Sequence, residues 1–223
     1  MNPSGTVKPA LDDLISVLSG LARAREDRGL IATAVEALDN QYALARKIEQ
    51  EPGLGEIIKQ LVGRIFRAYG TLAALKGRRI LDIACGSSTS KAPPLIYVDT
   101  PVGEQQIPIA GIEGYTAQFE PWFCRILLEL GANPVGIDMG NLDGESFEHH
   151  KVDLGRPGAL DFLPDRSFDA VQDSRLFGSP EFTAQFPNRA DRRKVAEEIW
   201  RQEQRLLKAA GIVIHSDAAN LPK

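Results

Sequence analysis

The sequence predicts an α/β fold in which helices cover both faces of a mostly parallel β-sheet. Two short apolar runs carry the prediction, because each ends at an acid followed by a glycine: residues 79–86 read RILDIACG and residues 134–140 read PVGIDMG. Such runs are typical of strands buried on both faces of a parallel sheet. Ligands of open α/β sheets bind outside the carboxyl ends of the strands. We therefore expect a nucleoside-type ligand between these two strand ends.

The region before the first strand is predicted to be helical. Apolar residues recur there at helical spacing: Leu11, Leu14, Ile15, Leu18 and Leu21; Leu30, Ile31, Ala34, Val35 and Leu38; Leu54, Ile57, Ile58, Leu61, Val62, Ile65 and Phe66. Pro52 and Gly53 interrupt the pattern. We expect a helical extension over residues 1–76 and an α/β domain over residues 77–223.

An insertion is expected over residues 87–118, directly after the first strand. Pro93 and Pro94 exclude a helix that begins at the end of the glycine loop. Residues 95–98 and 106–109 can form a small hairpin. Long ordered loops in compact domains are usually functional, so we expect the insertion to cover the site as a lid or wall. Pro121 then suits the first turn of the crossover helix.

The second half of the chain predicts the remaining strands. They lie at about residues 134–138, 149–153, 168–173 and 211–216, with a charged helix over residues 189–208. Right-handed crossovers between these strands make the sheet parallel.

Composition sets limits on the class of protein. The chain has 223 residues, 43% hydrophobic content and a net charge of −4, which is typical of a soluble globular protein. The acidic balance gives no general attraction to nucleic acid or to an acidic membrane. We see no apolar run long enough to span a membrane and no secretory leader. Because Cys85 and Cys124 make no disulfide framework, we expect a cytoplasmic protein.

The order of these motifs resembles the class I S-adenosylmethionine-dependent methyltransferases. The segments that carry the resemblance are LDIACG at 81–86, GID at 136–138, HKVDL at 150–154, SFDAV at 167–171 and LLKAAGIVI at 206–214. Together they cover about residues 77–217. The resemblance implies a Rossmann-like sheet of order 3-2-1-4-5, S-adenosylmethionine as the cofactor and methyl transfer to a small-molecule acceptor.

The chain departs from the family pattern at three points. Where the family has three alternating glycines, this sequence has Ala84, Gly86 and Ser88, so we expect the loop to run differently or to approach the ligand less closely. The gap from Asp82 to Asp138 far exceeds the roughly 20 residues usual before a ribose-binding acid. No sequence remains for the family's last hairpin. We therefore expect the fifth strand to be covered by the N-terminal helices or by a second protomer in a homodimer.

Acids at the strand ends are the candidate cofactor-binding residues. A carboxylate can accept two hydrogen bonds from a vicinal diol, so Asp138 is expected to bind ribose; the alternative is an exposed turn acid. Asp82 can accept from loop amides or a ligand ammonium, or it can simply cap the turn. Asp153 can accept from an adenine amino group, with a loop acid beside Arg156 as the alternative. Ala84, Gly86 and Ser88 complete the predicted cofactor-binding set.

The ends of the fourth and fifth strands are expected to carry the catalytic residues. Asp173 and His215 can together take a proton from an acceptor hydroxyl or amine. Asp173, Asp217 and Asn220 are an alternative divalent cation site, and all of these residues can instead be ordinary polar strand ends. His149 and His150 point to opposite sheet faces, so we expect no metal there. The aromatics available to wall an acceptor pocket, or merely to tie the insertion to the core, are Tyr97, Tyr115, Phe119, Trp122 and Phe177.

Three functions remain open from the sequence. The first is methyl transfer from S-adenosylmethionine to a small molecule. The second is a non-catalytic methyltransferase-like binding or assembly module, favoured by the altered glycine loop and the missing hairpin. The third, a nicotinamide-dependent oxidoreductase, is disfavoured because a complete G-x-G-x-x-G fingerprint is absent.

Overall fold

The computed structural model describes residues 7–51, 53–87, 95–100, 103–108, 117–173, 176, 177 and 179–220. Its α-helices are α1 (Val7–Ser19), α2 (Arg25–Tyr42), α3 (Leu44–Gln50), α4 (Gly53–Tyr69), α5 (Trp122–Glu129), α6 (Pro180–Gln185), α7 (Arg189–Leu206) and α8 (Asp217–Asn220). Its strands are β1 (Arg79–Ile83), β2 (Leu95–Thr100), β3 (Gly103–Pro108), β4 (Asn133–Asp138), β5 (Glu148–Lys151), β6 (Phe168–Asp173) and β7 (Leu207–His215). Short 3₁₀ helices lie at Leu72–Leu75 and Ala117–Phe119.

The main sheet has five parallel strands in the order β5-β4-β1-β6-β7. Numbered along the predicted strands, this is the order 3-2-1-4-5, and the predicted Rossmann-like fold is confirmed. The central strand β1 pairs with both β4 and β6, so that Leu81 lies between Val135 and Val171. The chain therefore reverses its winding direction at β1, which is where open α/β sheets place their ligands.

The two faces of the sheet bury different apolar clusters. Ile80 and its paired neighbour Ala170 pack against the N-terminal helices, whereas Leu81 and its paired neighbour Val171 pack on the opposite face against α7. This follows from the alternation of side chains along a strand. The sheet therefore has helices on both faces, as predicted. The N-terminal helices form one of these two helical layers.

The insertion contains the hairpin that the sequence predicts. β2 and β3 pair antiparallel, with Thr100 opposite Gly103, and form a separate two-stranded sheet. Of the rest of the insertion, the described residues include only Ser87, Ala117 and Gln118.

The last strand, β7, lies at the edge of the sheet and pairs with β6. Ile212 and Ile214 pack against the N-terminal helical cluster. Lys208, Ala209 and Ala210 are exposed. The helices therefore cover side chains of β7, and the predicted pairing of its edge with a second protomer stays a prediction. Within the described ranges, none of the helices combines the length and apolar character needed to cross a membrane.

Candidate functional site

A cavity of about 430 Å³ opens at the carboxyl edge of the sheet. Its floor comes from the ends of β1, β4 and β5, and its walls come from α4, α6 and the segment that leads into α5. The residues that bear on its chemistry are Gln60, Arg64, Asp82, Ala84, Cys85, Gly86, Ser87, Gln118, Phe119, Glu120, Trp122, Asp138, Met139, Gly140, Asp153, Phe182 and Gln185. This volume is within the usual range for a small-molecule site.

Asp138 connects the ends of β1 and β4. Its Oδ2 accepts a hydrogen bond of 2.9 Å from the amide of Gly86, and its Oδ1 accepts one of 2.7 Å from the amide of Gly140. These two bonds orient the carboxylate at the cavity floor. An ionised carboxylate has about four lone-pair sites, so amide binding does not exhaust its capacity to accept from a ligand.

The glycine loop is shaped by close backbone contacts. Gly86 has φ +95°, and a Cβ atom there would lie 2.1 Å from the carbonyl oxygen of Phe119. The same carbonyl accepts a 2.8 Å hydrogen bond from the amide of Ser87. Ala84 has φ +58°, the left-handed region that glycine favours. Ser88 lies outside the described residues.

Asp82 is a buried acid that lines the cavity. Its side chain has two long contacts, from Gln172 Nε2 at 3.4 Å and from Cys124 Sγ at 3.7 Å. Burial raises the pKa of Asp82 from 3.8 to about 7, although the Gln172 and Cys124 contacts oppose the shift. Asp82 therefore gains or loses its proton near neutral pH. Its two long contacts give the ionised carboxylate little hydrogen-bond stabilisation.

Asp153 lies two residues after β5, at the far side of the floor. Its Oδ1 accepts from the amide of Gly155 at 3.0 Å and from Gln185 Nε2 at 3.2 Å, and its Oδ2 accepts from Arg156 Nε at 3.2 Å. Arg156, which the sequence places near Asp153, is therefore a hydrogen-bond partner of Asp153. The hydrogen bond from Gln185 on α6 had no signal in the sequence, because no local spacing relates the two residues.

The N-terminal helices hold the segment of residues 117–120, here called the roof, above the glycine loop. Glu51 Oε1 accepts from the amide of Ala117 at 2.6 Å, and its Oε2 accepts from that of Gln118 at 3.3 Å. Lys47 pairs with Glu120 at 2.5 Å. The roof reaches the site through Gln118, Phe119 and Glu120, which line the cavity.

A buried ion-pair network fixes the roof to α5 and to the turn before β5. Arg125 is 3% exposed and pairs with Glu120 and, at 2.5 Å, with Glu145. Its guanidinium lies 3.9 Å from the centroid of the Tyr42 ring on α2. Removing one member of such a network leaves a buried charge uncompensated. Sequence reasoning missed this network, because no helical or strand spacing relates Arg125 to Glu120, Glu145 or Tyr42.

The predicted catalytic residues Asp173 and His215 do not line the cavity. Asp173 is fully buried; it accepts from Ser216 Oγ at 2.7 Å and from the amides of Asp217 and Ala218 at the start of α8. His215 Nε2 lies 2.9 Å from Asp217 Oδ1. A catalytic role for Asp173 and His215 stays a prediction.

A second buried acid lies next to Asp173. Glu203 on α7 is fully buried, and burial together with the charge of Asp173 raises its pKa to about 9. Glu203 therefore keeps its proton at neutral pH. Glu203 on α7 and Asp173 at the end of β6 are thus two neighbouring buried acids.

The remaining candidates are placed as follows. Phe119 and Trp122 line the cavity, whereas Phe177 packs against Phe182 with a centroid distance of 5.1 Å. The side chains of Tyr97, Tyr115 and Asn220 lie outside the described residues. Within the described part of the chain, no group of three or more His, Cys, Asp or Glu side chains is arranged to hold a metal ion.

Together the fold and the site define a Rossmann-like α/β protein with a cavity at the point where its sheet changes winding direction. No family model matches the chain, and no curated protein matches it. Among solved structures, the carbon methyltransferase CurJ, determined in selenomethionine form, is similar with a TM-score of 0.39 and 12% identity. The match covers 96% of this chain and 51% of that one, so this chain spans about half the length of CurJ.

Proposed function

We propose that the cavity binds S-adenosylmethionine and that the protein transfers its methyl group to a small-molecule acceptor. The observation that carries the proposal is the position of Asp138. Its carboxylate is at the carboxyl end of β4, is oriented by the amides of Gly86 and Gly140, and lines the cavity. A carboxylate in this position suits the two hydroxyls of a ribose.

The residues around Asp138 fit the rest of such a ligand. Asp82 lies in the same cavity with only long polar contacts, so a ligand ammonium would supply the close hydrogen bonds that this acid lacks and would add to the favourable charge of Arg64. Asp153, two residues after β5, lines the same cavity and can accept a hydrogen bond from an adenine amino group.

The chain's own part in the reaction is positioning. A bound S-adenosylmethionine would supply an activated methyl group on its sulfonium. Methyl transfer then requires the acceptor to be held in line with that group, and orientation alone can account for several kcal/mol of the barrier. The surfaces that would orient the acceptor are the cavity walls that carry Arg64 and Gln118.

Titration calorimetry with S-adenosylmethionine and S-adenosylhomocysteine tests the proposal. We expect both to bind with dissociation constants in the micromolar range, near −8 kcal/mol. Adenosine and NAD⁺ serve as controls, since neither should match S-adenosylhomocysteine. If no binding is detected at millimolar S-adenosylhomocysteine, the proposal fails.

A non-catalytic binding or assembly module is the second candidate. The observation in its favour is the roof, because the Phe119 carbonyl contacts the glycine loop and accepts from Ser87. Such a protein would hold the loop closed by its own backbone instead of a ligand. Absence of S-adenosylhomocysteine binding, with a cooperative thermal transition intact, would favour this candidate.

A further inference from the structure

The short helix α6 forms a wall of the cavity beside Asp153. Ser179 caps this helix by accepting a 3.1 Å hydrogen bond from the amide of Phe182. Phe182 is buried and packs against Phe177 and Phe186, with centroid distances of 5.1 and 5.0 Å. Gln185 follows Phe182 by three residues and shares its side of the helix. Both residues line the cavity.

Gln185 and Asp153 form a donor–acceptor pair at the cavity wall. Gln185 Nε2 donates to Asp153 Oδ1 at 3.2 Å. This hydrogen bond, followed by those from Gly155 and Arg156, lowers the pKa of Asp153 against a smaller opposing effect of burial. At neutral pH Asp153 is therefore ionised and only accepts hydrogen bonds, while the amide nitrogen of Gln185 carries two N–H donors, of which the bond to Asp153 uses one.

This pair lies next to the proposed ribose site. The amide of Val152 donates to the carbonyl oxygen of Asp138 at 2.9 Å, which joins the turn after β5 to the end of β4. Val152 and Leu154 line the cavity on either side of Asp153, and Phe182 adds an aromatic face. An apolar slot with one acceptor and one adjacent donor is suited to a flat heterocycle whose edge carries the complementary pattern.

Adenine presents that complementary pattern. Its exocyclic amino group donates, and the ring nitrogen beside it accepts, whereas a 6-oxopurine reverses both positions. We propose that Gln185 acts with Asp153 to bind the amino edge of the adenine, so that the site selects 6-aminopurine nucleosides over 6-oxopurine nucleosides. This inference rests on the proposed function and adds to it a specificity-determining residue on α6, outside the motifs of the sequence.

Two ligands that differ only in the purine edge test the inference. They are S-adenosylhomocysteine and S-inosylhomocysteine, in which an oxo group replaces the 6-amino group. The variant Gln185→Met keeps the side-chain length and removes the amide. Gln60→Met is the matched control, because Gln60 also lines the cavity but lies on α4. Dissociation constants come from calorimetry, and thermal denaturation checks that each variant is folded.

We expect the wild-type protein to prefer S-adenosylhomocysteine by about tenfold or more, the ratio expected when two hydrogen bonds at a partly exposed site become donor–donor and acceptor–acceptor contacts. Gln185→Met should lower that preference at least fivefold, and Gln60→Met should leave it unchanged. Gln185→Glu, which removes both N–H donors, should lower it as well and serves if the methionine variant does not fold.

An unchanged preference in a folded Gln185 variant overturns the inference, and so does an equal loss in Gln60→Met. Both results leave the proposed function standing, because S-adenosylhomocysteine still binds. If the wild-type protein binds neither ligand, the proposed function itself fails and the inference fails with it.

Discussion

The Asp138 carboxylate accepts a 2.9 Å hydrogen bond from the amide of Gly86, 52 residues earlier in the chain. The bond joins the ends of β4 and β1 across the floor of the cavity. It explains how an acid so distant in sequence from the glycine loop can serve the same site. Strands β1 and β4 pair side by side, so their carboxyl ends lie together although the insertion and the helix α5 separate them along the chain.

Replacing the Asp138 carboxylate should weaken nucleoside binding. We expect Asp138→Ala to lower S-adenosylhomocysteine affinity tenfold or more, about 1.5–3 kcal/mol, because a charged acceptor for the diol is lost. Calorimetry measures the change. Asp143→Ala, at an exposed acid in the following turn, is the control and should bind normally.

Because Asp138 also orients the loop, the ligand should be varied as well. Wild-type protein should bind S-adenosylhomocysteine more tightly than its 3′-deoxy analogue, and Asp138→Ala should bind the two alike. Unchanged affinity for S-adenosylhomocysteine in the variant would contradict the ribose assignment.

Asp82 should make both stability and binding depend on pH. Its pKa is raised from 3.8 to about 7 by burial, so between these values the folded state keeps a proton that the unfolded state releases. The contribution of Asp82 to stability therefore falls as pH rises from about 4 to 7, by at most about 4 kcal/mol. Chemical denaturation at several pH values measures the slope, and Asp82→Asn should reduce the fall over this range.

The same titration predicts the pH dependence of ligand affinity. If ionised Asp82 accepts from the ligand ammonium, S-adenosylhomocysteine should bind more tightly as pH rises through 7. An affinity that is flat from pH 6 to 8 in wild-type protein would argue against this contact.

Gly86 should tolerate no side chain, because its Cβ would meet the Phe119 carbonyl at 2.1 Å. Gly144 is the matched control: it also has a positive φ, +90°, but a Cβ there meets nothing within 4 Å. We expect Gly144→Ala to cost about 1–2 kcal/mol from backbone strain alone. Gly86→Ala should cost clearly more in urea denaturation; equal losses would mean that the roof is not packed against the loop.

Ligand binding should protect the roof and the insertion from hydrogen exchange. The sequence predicts that residues 87–118 act as a lid or wall, and Ala117 and Gln118, at the end of this region, belong to the roof. We expect amides there to exchange more slowly with bound S-adenosylhomocysteine. Glu51→Gln, which removes the charge that holds Ala117 and Gln118, should speed their exchange in the free protein. Unaltered exchange at saturating ligand would disprove the lid.

The β7 edge should pair with a second copy of the chain. An edge strand presents unpaired backbone groups, and the helices that pack on Ile212 and Ile214 cover side chains without supplying ladder hydrogen bonds. Light scattering should therefore report a homodimer. A strict monomer across the micromolar range rules out the dimer.

The sequence by itself determined the sheet and the floor of the site. Local signals sufficed for this, since an apolar run that ends at an acid and a glycine marks a buried strand and its turn. Parallel pairing then brings such ends to one edge. Asp82, Gly86, Asp138 and Asp153 were found in this way, and all four line the cavity.

Only the tertiary structure decided what surrounds that floor. Glu51, Arg125 and Gln185 reach the site or its roof from separate elements, and no spacing along the chain relates them. Strand-end reasoning placed Asp173 at the carboxyl end of β6, and only the folded chain shows that its carboxylate accepts from the hydroxyl of Ser216 and from the amides at the start of α8. The end of a strand sets the position of a side chain's Cβ atom. The hydrogen-bond donors that surround this side chain in the folded protein set the orientation of its carboxylate.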